Sequence, residues 1–236
     1  MLQDGSGTLA GAADTQGVAA FFYEAFSAGK IGVKLPEEAM QELKKAAGRT
    51  ALINTLILRE GTALFRALNS TGIDYILLKG FAHLEKLYGS LWIRPVGDLD
   101  LLIHRAELPR VKNLLYDLGF SQYVDPAFEG TECEWAAIAE KYHSELHYYR
   151  SLGGFTVNVD LHWDLINLIQ RGSPLEEIYP VNDIPWFAHR KEIILGEIPV
   201  RCFSLEMHFL HALFHFSLGH KFTGLKWFVD LCQFVT

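Results

Sequence analysis

The chain has 236 residues, 50% of them hydrophobic and 13% aromatic. That excludes disorder, collagen-like and low-complexity repeat structure, and a chain of this length buries roughly 70–75% of its unfolded surface without staples. Lys+Arg number 21 against 28 Asp+Glu, a formal charge of −7. This argues against a surface that neutralises nucleic-acid phosphates, but leaves room for a small phosphorylated substrate held by a few local cations.

The three cysteines, Cys133, Cys202 and Cys232, form no CxxC pair, so zinc-knuckle and thioredoxin motifs are excluded and buried thiols in a reducing compartment are expected. The opening segment, MLQDGSGTLAGAADTQG, has neither a basic n-region nor a long apolar h-region. No stretch reaches the length of an uninterrupted apolar span. The expectation is a soluble cytoplasmic protein with no membrane partner.

Residues 1–15, rich in Gly, Ala and Thr, read as a mobile lead-in. A helical region is expected over 16–70. It starts near Val18 and resumes after Pro36, with Ile53, Ile57, Leu64 and Leu68 at helical spacing and Gly48 and Gly61 as points where the helix would break. A core is expected over 71–203. Tyr75–Leu78 suits a short buried strand, Phe81–Tyr88 a helix, and Asp98–Ile103 a second strand after the loop GSLWIRPVG. Ala106–Leu118 reads as a helix stopped at Gly119, Phe120–Val124 as a strand, and EWAAIAEKY as a helical insertion. Glu145–Arg150 and Phe155–Leu161 flank SLGG as a β-hairpin, a helix is expected over Trp163–Gln170, and KEIILGEIPVRCF forms another hairpin turning at Gly196. Over 204–236 Ser204 caps a helix Leu205–Leu218, and a last helix opens at Leu225. The apolar pattern runs to the final residue, as expected at the start of a longer helical region.

The sharpest local feature is Gly97-Asp98-Leu99-Asp100, followed by Leu101, Leu102 and Ile103. Aspartate is disfavoured in strands, and alternation puts Asp98 and Asp100 on one face. Two like charges side by side need compensation, which a divalent cation such as Mg²⁺ supplies together with substrate phosphate. Two surface acids at an exposed strand start are the alternative.

In the hairpin, Thr156, Asn158, Asp160 and His162 share a face. A turn centred on Leu152–Gly153 places Glu145 opposite Asp160 and His147 opposite Asn158. This polar face is either solvated or brings Asp160 beside the Asp98/Asp100 pair. Upstream, Lys79 and Gly80 join a strand to a helix, where a glycine admits close backbone approach and helix amides favour phosphate.

The segments LLKGFAHLEKLYG, IRPVGDLDLLI, VDLHWDL, and a His-bearing helix followed by LKWFVDL occur in that order. In this the chain resembles the polymerase-β-like nucleotidyltransferase superfamily, and more narrowly its bacterial branch of poorly characterised nucleotidyltransferases. It departs from the wider pattern at Lys79-Gly80-Phe81, where Gly-Ser or Gly-Gly is usual. The resemblance implies an α+β fold, a mixed sheet flanked by helices with helical extensions at both ends. It also implies transfer of a nucleoside monophosphate from an NTP, with ATP the expected donor, to a small-molecule or peptide acceptor. On that likeness Asp98 and Asp100 hold Mg²⁺ (or Mn²⁺), and Asp160 ligates the catalytic metal and helps deprotonate the acceptor. Lys79, Gly80, Arg94 and His162 are the expected nucleotide contacts. A catalytically degenerate nucleotide-binding module of the same fold is the rival reading.

His208, His211 and His215 share a helix face and His220 follows, but Ala212 stands where a zincin carries its glutamate. A packing or hydrogen-bonding role bordering the cleft is expected. Trp227, Phe228 and Phe234 read as core rather than as a base-stacking platform.

Overall fold

The recurring apolar residues after Pro36 form one helix, α3 (Glu37–Thr71), which ends at Gly72 in a left-handed conformation. The computed structural model describes residues 8–165, 177–178 and 184–235. Neither Gly48 nor Gly61 breaks α3, because the stripe from Leu43 to Leu68 is buried along it and packing outweighs the cost of about 1 kcal/mol per glycine. At Gly61 the missing side chain has a use: a Cβ there would lie 3.0 Å from Leu99 Cδ1. The helix therefore lies close on the strand that carries the paired acids.

The N-terminal expectation needs correction over residues 9–15. Thr8 caps a helix, α1 (Leu9–Thr15), and accepts a hydrogen bond from the Gly11 amide. With α2 (Ala19–Ser27) it packs on α3, burying Ala10, Ala13, Val18 and Ala19 against Leu43 and Ala46. Small alanines permit that close approach, so a composition that suggested mobility instead makes a helix contact. Residues 1–7 of the expected lead-in lie outside the described residues.

Among the described residues seven strands form one mixed sheet in the order β3-β4-β5-β2-β1-β7-β6. They are β1 (Tyr75–Leu77), β2 (Asp98–Ile103), β3 (Ser121–Gln122), β4 (Glu145–Leu152), β5 (Phe155–His162), β6 (Arg190–Leu195) and β7 (Ile198–Phe203). The pairs β2–β5 and β1–β7 are parallel, and the hairpins and β1–β2 are antiparallel. β3 is shorter than the expected Phe120–Val124. The predicted helix over Trp163–Gln170 lies outside the described residues beyond Leu165.

Alternation along the strands divides the sheet into two faces. Leu99, Leu101, Val157, Val159 and Leu161 pack on Leu64, Phe65 and Leu68 of α3 and on Val111 and Leu115 of α5 (Leu108–Asp117). On the other face Ile76, Leu78, Leu102 and Phe203 meet Met207, Leu210 and Phe214 of α7 (Leu205–Phe214). α7 is capped by Ser204 as expected and runs on into a π-helical turn, His215–Gly219. Three further α-helices bear on the site and its surroundings. α4 (Phe81–His83) continues as a π turn to Tyr88, α6 (Glu132–Tyr142) opens on a Thr131–Glu134 capping box, and α8 is Leu225–Gln233. No helix among the described residues is long and apolar enough to cross a membrane.

The hairpin register differs from the sequence expectation. Glu145 pairs with His162 and His147 with Asp160, with Leu152 opposite Phe155. The reason is the turn: Gly153 and Gly154 both take positive φ, +55° and +91°. A turn centred one residue earlier would force Leu152 into that region, which only glycine enters without strain. The slip moves each partner by two residues, so the polar face keeps its membership.

Candidate active site

Asn54, fully buried in the middle of α3, holds the loop before β2. Its Nδ2 donates to the carbonyls of Leu91 (2.7 Å) and Arg94 (2.9 Å), and its Oδ1 accepts from the Val96 amide at 3.0 Å. Val96 in turn packs on the Lys79–Gly80 turn. Gly80 has φ +61° and ψ −109°, and a Cβ there would lie 3.2 Å from Val96 Cγ1. Strand β1 and the start of β2 are thus fixed side by side, and the Leu78 amide donates to the Asp100 carbonyl at 3.0 Å.

The parallel pairing of β2 with β5 sets Asp98 beside Asn158 and Asp100 beside Asp160. Asp98 is half-buried and Asp100 is 1% exposed. Lys79 Nζ lies 2.9 Å from Asp100 Oδ1, and His162 Nε2 lies 3.2 Å from the same oxygen. The other oxygen, Oδ2, is buried without a hydrogen-bond partner. His162 Nδ1 lies 2.9 Å from Glu145 Oε2, and His147 Nδ1 lies 2.8 Å from Asp160 Oδ1. One ligand atom from each of Asp100, Asp160 and His162 falls within 4.8 Å of the others, a possible acidic metal-binding cluster.

These charges act on one another. Burial and the neighbouring Asp100 charge push the Asp98 carboxyl up to about 7. Burial alone would raise Asp100 too, but Lys79 and His162 overcome it and hold that carboxyl below its usual range. For His162 burial opposes protonation, yet its bonds to Asp100 and Glu145 lift it to about 10. Lys79 is raised as well: Asp100 and Asp98 outweigh its burial.

A cavity of about 240 Å³ separates this acid-bearing face from α7, with Lys79, Asp100, Asp160 and His162 on one side and His211, His215 and His220 on the other. His215 Nε2 lies 3.5 Å from Lys79 Nζ and 3.0 Å from His220 Nε2. Burial, with Lys79 beside them, depresses His211 to about 3 and His215 to about 2, so both are neutral near pH 7. His208 faces the core, packed edge-on against His83 and Phe203. The histidine face is therefore split between packing and the cleft wall.

Of the residues singled out from sequence, Asp98, Asp100, Asp160, Lys79, Gly80 and His162 come together. Arg94 does not join them. It is 4% exposed, and its guanidinium is engaged by Asp230 of α8, with Nε at 2.8 Å from both carboxylate oxygens and Nη2 at 2.7 Å from Oδ2. Asp230 also accepts from the Tyr88 hydroxyl at 2.8 Å. The expected triphosphate contact is thus committed to an internal ion pair, and its partner is 136 residues away, beyond any local signal. A residue the motifs missed, Lys226, lies nearby on α8. It sits over the Trp227 ring at 4.1 Å, and burial and Arg94 depress it to about 8 while Asp98 draws it the other way. Trp227 is half-buried, stacked on His220 with centroids 4.5 Å apart, and so belongs to the cleft border rather than the core. The signal for Lys226 and Trp227 was present in LKWFVDL, but only the fold brings that segment to the acids.

None of the curated proteins is similar to the chain in sequence. Among solved structures it is similar to an antigenic nucleotidyltransferase-like protein from Paracoccidioides brasiliensis, with 17% identity, 78% of this chain and 75% of that one covered, and a TM-score of 0.45. It is also similar to the antibiotic-resistance factor ANT(2'')-Ia. A solution structure of that protein gives 12% identity over 77% of this chain and 83% of that one, with a TM-score of 0.47. A crystal structure of it with adenylyl-2''-tobramycin gives 12% identity over 75% and 86%, with a TM-score of 0.45. The family comparison spans nearly the whole sequence, including the Lys79–Gly80 turn, the Asp98–Asp100 strand, the Asp160 strand and α8. Residues 5–236 match the family described as "Uncharacterised nucleotidyltransferase", and to that family the chain belongs.

Proposed function

We propose that this protein transfers a nucleoside monophosphate from an NTP, ATP foremost, to a hydroxyl of a small-molecule or peptide acceptor, releasing pyrophosphate. The observation that carries this reading is the juxtaposition of Asp98, Asp100 and Asp160 on adjacent strands, with Lys79 2.9 Å from Asp100.

The residues fit a divalent cation. Their donors are hard carboxylate oxygens, Asp100 Oδ2 is buried without a partner, and Asp98 is driven toward its neutral form by burial and by Asp100. Asp98, Asp100 and Asp160 would hold Mg²⁺ or Mn²⁺. His162 is poorly suited as a ligand, since both ring nitrogens already face carboxylates. When bound, the metal supplies charge neutralisation on the phosphates.

The remaining work falls to the chain. Lys79, held in place by Asp100 and next to Gly80, contacts phosphate oxygens as a fixed cation. Lys226, half-buried beside Trp227, takes the phosphate-facing role expected of Arg94. His162, charged between Asp100 and Glu145, orients Asp100. Asp160, oriented by His147, accepts the proton of the acceptor hydroxyl at its carboxylate. Positioning and preorganised charge dominate phosphoryl transfer, so no covalent intermediate on the protein is needed.

The test is calorimetry with each of the four NTPs in Mg²⁺, followed by an assay of pyrophosphate release over a panel of hydroxyl acceptors. Asp100→Asn and Asp160→Asn should each lower release by about a hundredfold or more. Unchanged turnover in both would overturn the assignment, and nucleotide binding without release for any acceptor would return the degenerate module.

A further inference from the structure

Asp160 borders two cavities; both carry carboxylates, but among the described residues only one holds a lysine. The one described above carries Lys79 and the histidines. The other, about 750 Å³, runs along β3, β4 and β5 on the same sheet face, lined by Tyr123, Tyr149, Thr156 and Asn158, with Asp98 and Asp160 as its acids. Hairpin pairing sets Tyr149 opposite Asn158 and His147 opposite Asp160, so these side chains share one face. Tyr149 is 39% and Tyr123 44% exposed. Among the described residues lining this trough none is lysine or arginine, and its imidazole, His147, is already bonded to Asp160.

We infer that this trough is the acceptor site, and that the acceptor is a small uncharged or cationic alcohol with an apolar face that stacks on tyrosine. The inference rests on the transferase reading above. A triphosphate, a polyanion, belongs in the cavity that holds the lysine, because the trough's described lining has two carboxylates and no lysine or arginine to offset them. The volume is that of a small-molecule site, and tyrosine rings present flat apolar surface with a polar edge, suited to a sugar or aryl face. An occupant lying on Tyr149 and Asn158 has Asp160 at its end, two residue pairs along the hairpin and so the next pair on the same face. Its hydroxyl oxygen then bonds to the α-phosphorus while the bond from that phosphorus to the α–β bridging oxygen breaks. Pyrophosphate leaves with that electron pair, and the hydroxyl proton passes to the Asp160 carboxylate.

Two chromogenic probes test the chemistry by equilibrium dialysis: neutral 4-nitrophenyl β-glucoside and anionic 4-nitrophenyl β-glucuronide. The glucoside should bind about tenfold or more tightly than the glucuronide, and Tyr149→Ser should weaken it by about tenfold. Thr156→Lys, at an exposed position in the trough, should narrow or reverse the preference by adding a cation. Calorimetry with Mg·ATP, run on the same proteins, should give one affinity for all three. Equal binding of the two probes, no binding of the glucoside, or an unchanged Tyr149→Ser variant would each overturn the trough assignment. Failure of Mg·ATP to bind a protein that still retains the glucoside would sink the transferase reading and leave the trough as a binding site.

Discussion

Asp98 and Asp100 differ by one strand position and by most of their electrostatics. Asp100 has Lys79 and His162 on one oxygen and stays ionised, whereas Asp98, half-buried beside that charge, is pushed up to about 7 from an ordinary 3.8. An acid whose folded pKa is raised binds more protons folded than unfolded between those two values, so the metal-free protein loses stability as pH rises from about 3.8 to about 7. Asp98→Asn removes that loss. At pH 8 without metal the variant should be more stable than the parent by roughly 1–2 kcal/mol, while Mg²⁺ should stabilise the parent more than the variant. Thermal unfolding with and without Mg²⁺ at pH 5 and pH 8 measures both. A variant less stable than its parent at pH 8 would mean that the acids are not in conflict. At this scale the sequence was legible for the paired aspartates, whose alternation is a local property of one strand. It was not legible for Arg94, whose role depends on Asp230.

Among the elements, the strand–turn–helix at Lys79–Gly80 and the loop pinned by Asn54 decide where the acids sit. Gly80 adopts φ +61° and ψ −109°, and a side chain there would also crowd Val96. Gly80→Ala should cost about 1–3 kcal/mol in backbone strain. Because the turn carries Lys79, it should also weaken Mg·ATP binding. Urea unfolding and calorimetry read the two effects, and a variant normal in both would show that the turn relaxes without consequence. Most elements were readable from periodicity: the long helix, the strand Asp98–Ile103, both hairpins and the Ser204 cap. The hairpin register was not, since it turned on whether Leu152 or Gly154 occupies a positive-φ position. Asn54 carries no local signal, because a polar residue in an amphipathic helix reads as solvent-facing until its partner loop is known.

Across the whole molecule the Arg94–Asp230 pair ties the last helix to the loop before β2. Arg94 is 4% and Asp230 1% exposed, and His83 and Tyr88 crowd the same carboxylate. Removing one partner leaves a buried charge uncompensated. Asp230→Asn should therefore destabilise the fold by about 3–5 kcal/mol, read by urea unfolding. A nucleotide-contacting Arg94 would instead give a stable Arg94→Met variant with weakened ATP binding. Burial alone would raise the Asp230 carboxyl, but Arg94 and His83 hold it below its ordinary 3.8. Its contribution is therefore present above about pH 4 and is lost as pH falls below that value, and the Asn variant should lack this acid-side decline.

By itself the sequence determined most of the secondary elements, the shared face of Asp98 and Asp100, the polar face of the hairpin and the family order of the motifs, because each is written in residues a few positions apart. Only the tertiary structure decided that β2 lies parallel to β5 with Asp100 beside Asp160, that Arg94 is paired with Asp230, and that Trp227 stacks on His220 at the cleft border with Lys226 over its ring. Those facts follow from packing two sheet faces against helices that are distant in the chain. An ion pair between residues 94 and 230 forms only after the loop between them has closed, and nothing local to either residue encodes it.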